Sequence, residues 1–254
     1  MKQYLMCSGG KDSMASAILC HKKGIHLDGI VTAEIMFSHE KNISAEHPDH
    51  IKWFYETAKP TLENWGYNVI VVKSEKDYVK HFYGRILKSE YPERIGKKHG
   101  FVLGGNRCSL KRDCKIRLID NWCKAQGEFI KILGIAFDEQ KRLESIHKQK
   151  NTWSILETER VIEAQTYDIC REYNLLSPFY TSGRDRQGRW FCPNASVEEM
   201  AQFAKEYPNY WNELRILAQD EETVSKLFKY DRTFESVDRE IAVINSQISI
   251  FDFI

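Results

Sequence analysis

The sequence predicts an α/β protein, a parallel sheet flanked by helices with a helical C-terminal layer. Three observations predict it. Short runs rich in Val, Ile and aromatic residues alternate with stretches of helical apolar spacing over residues 1–136. The first run passes through a glycine turn, Ser8-Gly9-Gly10-Lys11-Asp12-Ser13, directly into a helical pattern. From Asn151 onward the spacing is mostly helical. Strands alternating with helices imply right-handed βαβ units and a parallel sheet.

The elements follow in order. Residues 4–7 read as a strand and 13–23 as a helix, with Met14, Ala15, Ala17, Ile18 and Leu19 at helical spacing. A second strand covers 27–34. Residues 50–65 are helical by the spacing of Ile51, Phe54, Tyr55, Ala58 and Leu62, and Gly66 closes that helix. A third strand spans 67–72, a helix 78–89, a longer helix 108–124 and a fourth strand 128–136. Helices follow at 166–173, 196–207 and 210–219, the second opened by the capping box of Ser196 and Glu199. A charged helix at 235–245 leads into a short apolar tail. The expected organisation is one domain over 1–227, helical from about 151, followed by the helix and tail of 228–254.

The bulk numbers exclude several classes. A chain of 254 residues has ample core for one large α/β domain or two small ones. Its net charge of +1 gives no global field for nucleic acid or membrane. The apolar run at the start breaks at Gly9, so no signal peptide is expected. No apolar stretch is long enough to span a bilayer. Seven cysteines, an odd number, read as reduced thiols of a cytoplasmic protein.

The glycine turn is the main chemical signal. Adjacent glycines allow positive φ and close approach to a ligand. The following helix offers its first N–H groups and the positive end of its dipole. Ser8 and Ser13 add hydroxyls, Lys11 a charge, and Asp12 a helix cap or a magnesium contact. The loop is an anion cradle, and it lacks the GxxxxGK[ST] spacing of a Walker loop. Arg107, Lys111 and Lys115 stand at i, i+4 and i+8 with Arg112 and Arg117 beside them, either a second phosphate-binding face or a solvated one. Asp138, Glu139 and Arg142 follow the fourth strand, where Asp138 holds magnesium or caps the next helix.

Ser8–Ser13 resembles the PP-loop of the adenine nucleotide alpha-hydrolase superfamily. With EHPDHIKW (46–53), GFVLGGNRCSLKRDCKIRLI (100–119), LGIAFDEQKRL (133–143) and LLSPFYTSGRDRQGRWFCPN (175–194), residues 1–215 resemble the phosphoadenosine phosphosulfate (PAPS) reductase-like family, in the branch common in prophages and mobile elements. The resemblance implies a Rossmann-like sheet that binds an adenine nucleotide. In the PP-loop ATPases the loop holds the pyrophosphate of ATP, and an acceptor is activated by adenylation. ATP with magnesium is then the expected ligand, with Lys11, Asp12 and Lys115 as catalytic residues. Ser8 to Ser13, Glu34, Arg107, Lys111 and Arg142 would bind the nucleotide, Glu34 at the strand end that meets adenine or ribose.

Two alternatives stay open. One is a PAPS or sulfonucleotide reductase or transferase. Reductases of the family carry a cysteine in a C-terminal tail, whereas here the last is Cys192 and the closing SQISIFDFI has none. Relatives also carry a Cys-x-x-Cys that reads Arg189-Trp190-Phe191-Cys192 in this chain, leaving Cys108 and Cys192 for zinc or an iron–sulfur cluster. Cys7, Cys20 and Cys114 read as core. The other alternative is an accessory module. Gln247-Ile248-Ser249-Ile250-Phe251 resembles the QL[SD]LF peptide by which bacterial proteins dock on the DNA sliding clamp. As an extended tail it would place Gln247, Ile250 and Phe251 in that groove.

Overall fold

The computed structural model describes residues 1–102, 108–182 and 188–251, the side chains of 181–182 and 248–251 excepted. The chain forms two compact units, one of 1–34, 46–74 and 115–187 and the other of 35–45, 75–114 and 188–254. The division follows packing, not chain order, and does not coincide with a boundary at 227.

The first unit holds the α/β architecture. Its sheet contains β1 (Lys2–Met6), β2 (Gly29–Glu34), β3 (Val69–Lys73), β4 (Phe129–Leu133) and β5 (Thr152–Trp153). They are arranged in the order β3-β2-β1-β4-β5, and every pairing is parallel. β2 is buried along its whole length, as a strand covered on both faces must be, which explains its near-continuous apolar run. On one face Leu5, Ile30 and Ile132 pack with Met14 and Ile18 of helix α1 (Lys11–Lys22) and with Leu62, Leu156 and Cys170. On β1, Tyr4 meets Trp122 of the helix Arg117–Ala125 edge to face, with ring centroids 5.0 Å apart. The short β5 was not legible in the sequence, because two residues carry no alternation.

Two of the expected helices contain a π turn. The 50–65 pattern is realised as Pro48–Trp53, a π turn over Phe54–Ala58, and Lys59–Asn64. The 108–124 pattern is Ser109–Lys111, a π turn over Arg112–Ile116, and Arg117–Ala125. Such single turns insert a residue and re-aim the side chains beyond them.

The second unit is built around aromatic rings. Phe37, Tyr78, Phe82, Trp190, Phe191, Trp211 and Phe234 share one core with the helices Val197–Glu206 and Pro208–Ala218. The capping box forms as expected, with Glu199 N–H donating to Ser196 Oγ and Ser196 N–H to Glu199 Oε2. The helix expected over 78–89 stops at Tyr83, because Gly84 turns extended. The C-terminal region also contains short strands that the reading missed. Thr223–Ser225 pairs with Lys98–Gly100, and Leu227–Lys229 pairs with Arg232–Thr233. The last helix runs from Phe234 to Phe251 and replaces the extended tail expected from 246 onward. No glycine or proline interrupts 235–251, so nothing in the chain stops it earlier. No helix among the described residues is long and apolar enough to cross a membrane.

His81 of this unit makes an acid-stability prediction. It stacks on His99 with ring centroids 4.9 Å apart, and burial, reinforced by His99, lowers its pKa to about 4. The unfolded chain therefore takes up this proton first as pH falls. The stability His81 contributes is intact above about pH 6.5 and is lost towards pH 4, on the order of 3 kcal/mol in all. Urea unfolding at pH 7 and pH 5 should show a flatter acid limb for His81→Asn than for the unmodified chain. Equal slopes would remove His81 as the cause.

Candidate functional site

In a parallel sheet of this order, the neighbours of β1 lie on opposite sides and their connections diverge, opening a crevice beyond the carboxyl ends of β1 and β4. The loop after β1 is Cys7–Gly10, and the loop after β4 begins at Gly134. Gly134 meets the first turn of α1, which follows the Cys7–Gly10 loop: a Cβ on Gly134 would stand 2.7 Å from the Asp12 carbonyl carbon and from the Ser13 nitrogen. Glycine is required there because β4 passes directly against the first turn of α1.

The loop's shape is held by its own polar groups. Thr32 Oγ1 donates to the Cys7 carbonyl at 2.7 Å, and Cys7 N–H donates to the Val31 carbonyl at 2.9 Å, so the chain leaves β1 along β2. Ser13 Oγ donates to the Gly10 carbonyl at 2.9 Å and accepts Ser8 N–H at 3.2 Å. Gly10 occupies the N-cap of α1 in an extended conformation, and Lys11 N–H, the first of that helix, donates to the Tyr180 hydroxyl at 3.2 Å.

His50 is the buttress of the loop, and the sequence reading missed it. It is buried, with Nδ1 2.8 Å from Ser177 Oγ and Nε2 3.2 Å from the Ser8 carbonyl. A carbonyl only accepts, so Nε2 carries the hydrogen and Nδ1 accepts from Ser177. Burial lowers the His50 pKa against the opposing pull of the Glu46 charge, keeping the ring neutral. Gly9, at φ +76°, lies against this ring: a Cβ there would be 2.8 Å from His50 Cε1. Gly9→Ala is therefore expected to deform the loop, weakening at least about tenfold the binding of any phosphate the loop holds, since both the backbone strain and the ring must be accommodated. Gly24→Ala is the control: Gly24 also has positive φ, but nothing lies near its missing Cβ. Equal binding by both variants would show that the His50 contact does not shape the loop.

Lys11 is almost fully buried, yet it is ionically paired. Its Nζ lies 2.8 Å from Asp12 Oδ1 and 2.7 Å from Glu163 Oε1, on the helix Glu163–Glu172. Burial opposes the ammonium charge, but the bonds to Asp12 and Glu163 together outweigh it and raise the pKa. Lys115 is half-buried, and its positive charge acts on both Cys7 and His50. Burial pushes the Cys7 thiol up, against the pull of Gly9 N–H, Ser13 and Lys115. It pushes the Cys170 thiol to about 12. Both thiols beside the loop are thus protonated near neutral pH.

Other expected residues have different partners. Glu34 is buried at the end of β2, bonded to Tyr55 Oη at 2.6 Å and paired with Lys73 Nζ at 2.8 Å. Asp138, for which magnesium binding or a helix cap was expected, accepts Glu163 N–H at 2.9 Å through Oδ1, at the start of the helix Glu163–Glu172. Arg142 is exposed and paired with Glu139. Lys111 is exposed, and the π turn over Arg112–Ile116 interrupts the i, i+4 spacing expected from it to Lys115. Arg107 lies outside the described residues. Gln247 is exposed on the last helix, and the side chains of Ile250 and Phe251 lie outside the description.

Among the described residues the cysteines have surroundings other than a metal cluster. Cys7, Cys20 and Cys114 are buried core residues, as expected. Cys108 Sγ receives the Arg189 guanidinium at 3.0 Å and Lys111 N–H at 3.5 Å. A cation already at the sulfur takes the place where a metal would neutralise a thiolate. Among the described residues, no three His, Cys, Asp or Glu side chains stand where they could hold a metal ion. The expectation of a metal at Cys108 and Cys192 therefore finds no third ligand among the described residues.

The chain is an α/β protein with a glycine-rich strand–loop–helix turn at the switch point of a five-stranded parallel sheet. No family model and no curated protein sequence matches it. Solved structures similar to it include a phosphoadenylyl-sulfate (PAPS) reductase from Candida auris in a phosphate complex, with TM-score 0.46 and 11% identity, covering 75% of this chain and 82% of that chain. Another is the U34-tRNA thiolase NcsA from Methanococcus maripaludis with its 4Fe–4S cluster, with TM-score 0.44 and 15% identity, covering 87% of this chain and 73% of that chain.

Proposed function

We propose that the chain is a PP-loop enzyme that binds an adenine nucleotide and cleaves ATP to AMP and pyrophosphate to activate an acceptor. One observation carries this reading: Ser8–Ser13 joins the central strand to the N-terminus of α1 with a buried, charged lysine at its first helical position. That combination suits a phosphate group. The positive end of the α1 dipole faces it, and Lys11 and Lys115 supply positive charge as a leaving group departs. Ser8 and Ser13 hold the loop's curvature.

The test is a calorimetric titration of the full chain with ATP and, separately, with PAPS, each with and without magnesium. Release of AMP and pyrophosphate in the presence of candidate acceptors would then be measured. Preference for ATP is the expected result. Preference for PAPS would overturn the ATP assignment, and binding of neither would overturn the nucleotide reading itself.

A further inference from the structure

The helix Glu163–Glu172 brings to the loop a carboxylate that the reaction proposed above does not require. Lys11 is 4% exposed, and its ammonium contacts two carboxylates, Asp12 Oδ1 at 2.8 Å and Glu163 Oε1 at 2.7 Å. It also stands 5.2 Å from the centre of the Tyr167 ring. One positive charge therefore faces two negative ones at the first turn of the helix that follows the loop.

The two carboxylates are not equivalent. Asp12 is 23% exposed, lies on α1 itself, and has the Thr166 hydroxyl 3.0 Å from the same oxygen that contacts Lys11. Glu163 comes from a distant part of the chain, and its side chain is 51% exposed. Its backbone is fixed, because the Glu163 N–H donates to Asp138 Oδ1 at 2.9 Å and the Glu163 carbonyl accepts the Thr166 hydroxyl at 2.7 Å. The main chain is thus anchored, while the carboxylate can rotate into water with little change in solvation.

We infer that Glu163 is a displaceable counter-ion of Lys11, which competes with the incoming phosphate group for the lysine ammonium. This rests on the reading of Ser8–Ser13 as a phosphate loop. Without ligand, Glu163 keeps a buried ammonium paired. When a phosphate arrives, it takes over the Nζ contact and Glu163 turns outward. The exchange sets a threshold: a ligand must present enough negative charge to displace a carboxylate already in contact. A polyphosphate arm meets that condition better than a singly charged anion. No bond is made or broken in this step, and the proton stays on Lys11.

The experiment uses the full chain and Glu163→Gln, which removes the charge while keeping a side chain of the same shape that can still accept from Lys11. Inorganic pyrophosphate and ATP are titrated calorimetrically, melting temperatures are compared, and Lys11 is titrated by NMR of its ε-methylene. Glu163→Gln should bind pyrophosphate about tenfold more tightly, the scale of one contact ion pair partly screened by water. The melting temperature should change little, and the Lys11 pKa should fall. Unchanged or weaker binding by Glu163→Gln, when the unmodified chain binds pyrophosphate, would overturn the competition and leave Glu163 a structural residue. If neither protein binds pyrophosphate or ATP, the phosphate reading of the loop fails and the competition fails with it. The Lys11 titration identifies that case, since it still reports the ion pair.

Discussion

Lys11→Ala is expected to lose nucleotide affinity by roughly a hundredfold, the scale of about 3 kcal/mol for a charge-assisted contact in a buried site. Two effects combine. The ligand loses its ammonium partner, and Asp12 and Glu163 are left facing the phosphate without the cation between them. The second effect makes the loss larger than that of an exposed lysine. Lys11→Arg is not expected to restore binding, because a larger, planar guanidinium does not reproduce the contacts of a buried, compact ammonium with these two carboxylates. Calorimetric titration of both variants with ATP is the check, alongside their melting temperatures. Retained affinity in Lys11→Ala would sink the assignment of the loop as the phosphate site, however well the protein folds.

The largest expected effect on stability lies in the second unit. Trp211 is completely buried, stacked obliquely on Phe234 at 5.5 Å, with its indole N–H donating to Asp238 Oδ1 at 2.8 Å. Asp238 also receives Arg215 Nε at 2.8 Å. Trp211→Ala leaves a cavity that close-packed aromatic neighbours cannot fill, and should cost about 3–5 kcal/mol. Trp211→Phe keeps most of the volume and loses the hydrogen bond, costing about 1–2 kcal/mol, since Arg215 still pairs with the carboxylate. Thermal unfolding should rank the three proteins in that order. A melting temperature for Trp211→Ala within about 2 °C of the unmodified chain would mean that the core around Phe234 collapses onto the gap at little cost.

Much of the first unit was legible in the chain. β1, the glycine loop and α1 follow from local chemistry alone: an apolar run, two glycines and a helical repeat within twenty-two residues. The second strand was found because a strand covered on both faces is apolar almost throughout, and the third and fourth because each is a short run dominated by Val, Ile and Phe. Helix termini at Ser196 and Gly66 were found because caps act on their own neighbours. The second unit was read less well. Its strands are two or three residues long, too short for alternation to register. The last helix outruns its expected end because nothing local terminates it, and the aliphatic and aromatic residues that suggested a docking peptide also suit a helix.

The candidate site divides in the same way. The sequence by itself determined the loop residues Ser8 to Ser13 and the α/β architecture, because both are written in contiguous residues and short-range periodicity. Only the tertiary structure decided that Gly9 must remain small for His50, and that Lys11 is paired with Glu163 across more than half of the chain. It also decided that Asp138 accepts the Glu163 N–H, and that Cys108 is met by a guanidinium. Those partners are far apart in sequence. A side chain's partner is set by which elements the sheet order and packing bring together, and no local pattern of residues records that.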